Sequence, residues 1–176
     1  GTLFVTERSG ATVINNGTGS VTLIGTQAQI NGALNGMAYQ APANTHGSDS
    51  LNIVTHDGGV NSVDIDTVSI IIQPVNDPPV ATDDTTTTAE DTPVIIDVLG
   101  NDTDIDGYNL VLQSVTQGGN GSVAINPDNT LTYTPDPDFF GTDSFTYTVS
   151  DSNGGIDTAS VDVIVGAVND APVIAI

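Results

Sequence analysis

The sequence predicts an all-β protein made of β-sandwich units in tandem. Three observations carry this. Apolar residues alternate with polar ones at period two through much of the 176-residue chain, the pattern of strands with one buried face. The peptide Asn76-Asp77-Pro78-Pro79 recurs as Asn169-Asp170-Ala171-Pro172, each time after an apolar, strand-like run. Gly47, Asp49 and Asp57 align with Gly141, Asp143 and Asp151 at one offset of 94 residues (141 − 47, 143 − 49, 151 − 57). That period is too long for a solenoid repeat and close to one two-sheet sandwich of roughly 100 residues. The expected organisation is a first repeat over residues 1–76, a linker at 77–79, a complete repeat at 80–168, and at 169–176 a linker with the start of a further repeat.

The first repeat is expected to be truncated at its N-terminal side. Gly1-Thr2-Leu3 aligns with Asn109-Leu110-Val111, which leaves no counterpart of Val80 to about Tyr108. An open sheet edge at that place is a route to strand addition or swapping. Thr26 to Leu34 departs from the β pattern: Thr26 can cap, Ala28, Ile30, Ala33 and Leu34 fall at near-helical spacing, and Gly36 is a stop. One short helical turn is predicted there. Tyr39-Gln40-Ala41-Pro42 then parallels Tyr133-Thr134-Pro135. Leu51 and Ile53 match Phe145 and Tyr147, and Val68, Ile70 and Ile72 match the last strand of the second repeat.

In the second repeat Val94, Ile96 and Val98 share one face, as do Val123 with Ile125 and Leu131 with Tyr133. Phe145, Tyr147 and Val149 give the clearest alternation, and Val161, Val163 and Val165 close the domain. Turn-forming stretches such as Pro127-Asp128-Asn129 and Ser152-Asn153-Gly154-Gly155 separate them. About seven strands packed as two sheets are expected.

Charge is the compositional outlier. The chain has 22 acidic residues against one basic residue, Arg8, for a formal net charge of −21. Twenty of the acids are Asp, which suits turns and oxygen-ligand sites better than helices. Such a chain repels itself, and a bound cation relieves the repulsion. Nucleic acid is excluded as a partner, because phosphate binding needs basic groups, and anionic membrane surfaces are disfavoured for the same reason. Cysteine is absent, so there is no disulfide and no thiolate metal site. Lysine is absent too, which excludes Schiff-base chemistry and Lys–Asn isopeptide staples. No apolar run has membrane length, so direct membrane insertion is not expected.

The sharpest motif is Asn101-Asp102-Thr103-Asp104-Ile105-Asp106-Gly107. Carboxylates at alternate positions, followed by Gly for the turn, can converge on one hard cation. Calcium takes six to eight oxygens and accepts carboxylate, carbonyl and water together. The run lacks the closing Glu and the flanking helices of a helix–loop–helix calcium loop.

Several runs together resemble the bacterial cadherin-like, Ig-like tandem repeats of large surface proteins. They are Glu90-Asp91-Thr92-Pro93, Val98-Leu99-Gly100-Asn101-Asp102, Asp104-Ile105-Asp106-Gly107, Gly121-Ser122-Val123, Leu131-Thr132-Tyr133-Thr134-Pro135, Phe140 to Tyr147, and Val168-Asn169-Asp170-Ala171-Pro172. Ile30-Asn31-Gly32-Ala33-Leu34 with Tyr39 resembles a variant of the same repeats. The resemblance implies Greek-key β-sandwiches with calcium at domain junctions. By carry-over, Asn76 and Asp77 are linker ligands, joined by Asp102, Asp104, Asp106 and, from a later loop, Asp151. Glu90 serves the next junction with Asn169 and Asp170. Asp57 corresponds to Asp151, but its partner loop has no counterpart in the first repeat. Tyr108 stands where many such repeats carry another acid, and no mid-domain Asp-Arg-Glu motif is present.

The implied function is structural. Calcium would stiffen the junction of an extracellular, bacterial-surface adhesive repeat, with neighbouring repeats of the same chain as partners. The alternative is recognition of polysaccharide or of another copy. Tyr39, Tyr133, Phe139 and Phe140 are the aromatic candidates for a sugar platform, and strand alternation assigns both tyrosines to cores. An enzyme is not expected. His46 and His56 are the only histidines, and no nucleophile elbow surrounds any Ser. Gly118-Gly119-Asn120-Gly121 lacks the Lys of a phosphate loop and reads as a hairpin turn.

Overall fold

The computed structural model describes residues 1–5, 11–56 and 63–169. Arg8, Asp57 and Asp170 lie outside the described residues, as does the expected start of a further repeat. The chain divides into two compact units, Gly1–Val75 and Asn76–Ile176. Asn76 therefore groups with the second unit.

The first unit holds short strands β1 (Thr2–Phe4), β2 (Thr12–Ile14), β3 (Thr22–Ile24) and β4 (Ala38–Gln40), helix α1 (Gln27–Leu34) and two long strands, β5 (Gly47–His56) and β6 (Val63–Ile72). The helix is one of the readings the sequence made in advance. Thr26 caps it through a reciprocal box with Gln29: the Gln29 amide donates to Thr26 Oγ1 at 3.4 Å and Gln29 Oε1 accepts from the Thr26 amide at 2.8 Å. Gly36 follows with φ of 96°, the left-handed conformation that ends helices. Of its apolar stripe Ala33 is fully buried. The strands pair as β1–β4, β2–β3 and β5–β6, all antiparallel. The pairing of β1 corrects one expectation. The second-unit strand beginning at Val111 pairs with the counterpart of β5, whereas β1 pairs with β4. Gly1-Thr2-Leu3 thus does not occupy the place of Asn109-Leu110-Val111.

The second unit contains β7 (Asp84–Ala89), β8 (Val94–Ile96), a 3-10 turn (Val98–Asn101), β9 (Val111–Val115), β10 (Gly121–Ile125), β11 (Leu131–Pro135), β12 (Gly141–Ser150) and β13 (Ile156–Gly166). They form a four-stranded sheet, β7-β13-β12-β9, facing a three-stranded sheet, β10-β11-β8. The β7–β13 pair is parallel and the rest are antiparallel. This is an all-β sandwich with the expected number of strands. Alternation decides which face is buried. Phe145, Tyr147 and Val149 point inward from β12, and Val161, Val163 and Val165 from β13. Leu131 and Tyr133 meet them from β11, with Ile96 and Val98 closing the core. The Tyr133 and Phe145 rings stack across the sheets, centroids 6.1 Å apart and 9° from parallel. Ile125 departs from the predicted face. It lies at the end of β10, paired with Leu131 beside the hairpin turn, and is 39% exposed.

Candidate functional site

The first acids of interest gather at the N-terminal end of the second unit. Val80 bridges Thr103, with N–H···O bonds of 2.8 and 3.0 Å in the two directions. That bridge holds the Asn76–Pro79 stretch beside the loop that follows Thr103. Asp77 donates its amide to Asp106 Oδ2 at 2.8 Å. The Asp106 amide in turn donates to Asp104 Oδ1 at 2.8 Å, and the Gly107 amide to the Asp104 carbonyl at 3.2 Å. Gly107 has φ of 76°, so the turn after Asp106 needs its missing Cβ. Asp104 Oδ2 is buried and accepts no hydrogen bond. A buried carboxylate oxygen without a donor is costly unless a cation or water satisfies it.

Asp151 closes the other side. It directly follows β12 and is only 2% exposed. Its Oδ1 accepts from the Asn153 amide at 2.7 Å and the Gly155 amide at 2.9 Å, while Oδ2 accepts from Asn76 Nδ2 at 2.6 Å. The Asn76 amide and these backbone donors hold its carboxyl below the usual carboxylate value, against the opposing push of burial. A Cβ on Gly155 would collide with Asp151 Oδ2 and come within 2.8 Å of Pro78 Cα. The linker, the Asp104–Asp106 loop and the Asp151 turn are therefore joined by direct hydrogen bonds. Among the described residues, no three His, Cys, Asp or Glu side chains form a group able to hold a metal. Any ion here would rely on carbonyl, amide and water oxygens as well as carboxylates.

Asp102 is not part of this arrangement. Its Oδ1 accepts from the Thr82 amide at 2.8 Å, and both oxygens lie near the Tyr147 hydroxyl, at 3.0 and 3.2 Å. Burial raises its pKa, and nearby Asp157 adds to the rise. Asp84, beside it, is also raised by burial first, and its Oδ2 has no hydrogen-bond partner. At the opposite end of the sandwich, Glu90 is 5% exposed. Its amide donates to the Gly166 carbonyl at 2.9 Å and its Oε1 accepts from the Val168 amide. Asn169 is exposed and next in the chain.

The sequence reading missed a further buried acid, Asp143. It accepts from the Gly119, Asn120 and Ser144 amides at 2.8, 2.9 and 2.9 Å and from the Tyr133 hydroxyl at 2.9 Å. The signal was available: Tyr39 donates to Asp49 at 2.5 Å at the same spacing in the first unit. Gly118 is small because a Cβ there would strike Asp143.

A family model described as Bacterial Ig domain matches residues 76–164. The chain belongs to this family. Protein GAMETE EXPRESSED 2 of Arabidopsis thaliana is 38% identical over 87 residues, covering 49% of this chain and 9% of its own length. The chain thus spans under a tenth of that relative. Among solved structures, the EC1-3 fragment of protocadherin gamma C5 is 16% identical at a TM-score of 0.39, over 96% of this chain and 56% of its own. An endo-fucoidan hydrolase of glycoside hydrolase family 107 is 19% identical at 0.38, over 94% and 23% respectively. Superpositions at that level add nothing to the assignment, which rests on the family match and the observed strand pairing. No helix among the described residues of this bacterial Ig domain protein is long and apolar enough to cross a membrane.

Proposed function

We propose that this bacterial Ig domain chain is a calcium-binding structural repeat of an extracellular, adhesive protein. Calcium would bind at the N-terminal end of the second unit, using oxygens of Asn76, Asp77, Asp104, Asp106 and Asp151. One observation carries the reading. The two linker residues bond to carboxylates of two different loops, Asn76 to Asp151 and Asp77 to Asp106, and the adjacent Asp104 Oδ2 is buried with no donor. That donor set is hard and oxygen-only, the kind calcium accepts.

The residues already do part of the work. Asn153 and Gly155 amides fix the Asp151 carboxylate in place, and Gly107 allows the turn that follows Asp106, whose carboxylate meets the linker at the Asp77 amide. A bound ion would neutralise the clustered charge and convert binding free energy into order of Asn76–Pro79. Because Asn76 follows Val75, the last residue of the first unit, ordering this stretch would shorten the free connection between repeats. A series of such connections would make a stalk. Glu90 with Asn169 and Asp170 would serve a following connection in the same way.

The test is calorimetric titration of calcium into chelated protein, paired with thermal unfolding. A Kd near 10 μM would give about 2.7 kcal/mol of stabilisation in millimolar calcium. Asp104→Ala with Asp106→Ala should abolish both the heat and the shift. Absence of binding in the parent chain, or binding untouched by these substitutions, rejects the reading.

A further inference from the structure

The chain contains five Asn-Gly steps: Asn16-Gly17, Asn31-Gly32, Asn35-Gly36, Asn120-Gly121 and Asn153-Gly154. Such a step carries its own chemistry. The backbone nitrogen of the glycine can attack the asparagine Cγ, because no Cβ shields it. The new N–C bond closes a succinimide ring, and ammonia leaves with Nδ2 and the glycine amide proton. Water then opens the ring at either carbonyl, giving aspartate or, with one extra main-chain carbon, isoaspartate. Ring closure needs a side chain that can swing, a glycine amide that donates to nothing else, and a peptide plane that can turn.

Folding withdraws at least one of these freedoms from four of the five steps. Asn16 Oδ1 accepts from the Val5 amide at 2.9 Å, its Nδ2 donates to the Val5 carbonyl at 3.3 Å, and the Gly17 amide donates to the Leu3 carbonyl at 2.8 Å. Asn31-Gly32 lies inside α1, where the helical ladder holds the Gly32 amide. The Asn120 carbonyl accepts from the Asp136 amide at 2.9 Å and the Tyr133 hydroxyl at 3.3 Å, and Gly121 is set so close to the Tyr133 ring that a Cβ would not fit. Asn153 Nδ2 donates to the Asp151 carbonyl at 3.3 Å, and the Gly154 amide faces the Asp151 carboxylate. Asn35-Gly36 keeps all three freedoms. Both residues are exposed. Among the described residues, neither the Asn35 side chain nor the Gly36 amide has a hydrogen-bond partner. The Asn35 amide donates to the Asn31 carbonyl at 3.0 Å and the Met37 amide to the Leu34 carbonyl at 3.1 Å, which presents the step just past the end of α1.

We propose that Asn35 is a self-modification site, deamidating through Gly36 in the folded chain ahead of the other four Asn-Gly steps. Water is the only co-reactant. The product changes the end of α1 in two ways. It takes the formal net charge from −21 to −22 (−21 − 1), and it sets the new carboxylate at the negative end of the helix dipole, where it is disfavoured. Isoaspartate also lengthens the main chain within the turn closed by the Met37–Leu34 hydrogen bond. Ala33, fully buried, lies in the last turn of the helix, so loosening there reaches the buried side of α1. The first unit thus carries an irreversible clock that runs without a partner.

The test is peptide mapping by mass spectrometry of the full chain, aged in mildly alkaline buffer below its unfolding temperature, beside the same chain aged in urea. In urea the five steps should react at similar rates. In the folded chain Asn35 should stay near its urea rate. Each of the other four should slow by about tenfold or more, because a held hydrogen bond has to be released before the ring closes. Asn35→Gln, whose longer side chain closes such a ring poorly, should remove the first acidic species that ion exchange resolves from aged protein. Asn35→Asp, a mimic of one product, should speed hydrogen exchange across α1 by about two- to fivefold. The proposal is overturned if another Asn-Gly step reacts first in the folded chain, if folding slows Asn35 by about tenfold or more, or if Asn35→Gln leaves the acidic species in place. Unchanged exchange across α1 in Asn35→Asp overturns the stated consequence for the helix.

Discussion

Replacing Asp143 should unfold the second unit more readily than any other single acid-to-alanine change away from the linker. Its carboxylate takes four donors: three backbone amides and the Tyr133 hydroxyl. Hydrogen bonds to a charged acceptor contribute about 1.5–3 kcal/mol each when they cannot be replaced. Gly119, Asn120 and Ser144 are exposed residues, so water can satisfy their amides in the variant. Tyr133 is fully buried, and its hydroxyl would keep only the Asn120 carbonyl, at 3.3 Å. Allowing one full loss at Tyr133 and fractional losses at the amides gives about 3 kcal/mol for Asp143→Ala. Asp143→Asn should come within about 1 kcal/mol of that, because its amide would face N–H donors. Tyr133→Phe should cost about 1 kcal/mol, and the double variant should fall short of the sum by a similar amount. Urea unfolding in chelator, followed by circular dichroism and tyrosine fluorescence, measures all four. A loss below about 1 kcal/mol for Asp143→Ala would refute the reasoning. Asp49→Ala, the first-unit counterpart, should cost less, since that carboxylate is 41% exposed.

Three further outcomes are expected. Asp84→Asn should raise the melting temperature in chelator at pH 7, because burial disfavours the ionised Asp84 and its Oδ2 has no donor; a fall of more than about 1 kcal/mol contradicts this. The pH profile in chelator should have a maximum on the acid side. Asp84 is raised above 3.8, so its ionised form costs stability above its folded value and the cost is relieved as pH falls through that value. Asp143 is lowered below 3.8: burial pushes it up, but the Asn120 amide, the Tyr133 hydroxyl and the Gly119 and Ser144 amides outweigh that. Its contribution is full above 3.8 and is lost as pH falls through its lower folded value; a monotonic decline from pH 7 to pH 4 would disagree. Gly155→Ala should loosen the Asn76–Pro79 stretch and weaken calcium affinity by about tenfold or more, since the new Cβ meets Pro78 and Asp151; calorimetry decides it.

The regular parts of this chain were legible before any coordinates. A two-residue period states which face of a strand is buried, and it placed Phe145, Tyr147, Val149 and the β13 valines correctly. The capping box of α1 is a local device, so four residues were enough to find it. The alternating acids at Asp104 and Asp106 lie in one loop, where Asp106 accepts from the Asp77 amide and Asp104 from the Asp106 amide. Asp102 has the same spacing but different hydrogen-bond partners. The Val80–Thr103 bridge separates it from the loop, and its carboxylate turns to Tyr147 and Thr82 instead. Spacing along a chain cannot register that, because Tyr147 arrives from β12, 45 residues away.

The sequence by itself determined the all-β class, the buried faces of the main strands in the second unit and the short helix. All of these follow from periodicities and from side chains bonding close by. Tertiary structure alone decided which strands pair, the pairing of β1 with β4, the buried clamp on Asp143 and the exposure of Ile125. Those depend on which strands meet across a sheet or a core, and such meetings are set by packing and by backbone hydrogen bonds between distant segments.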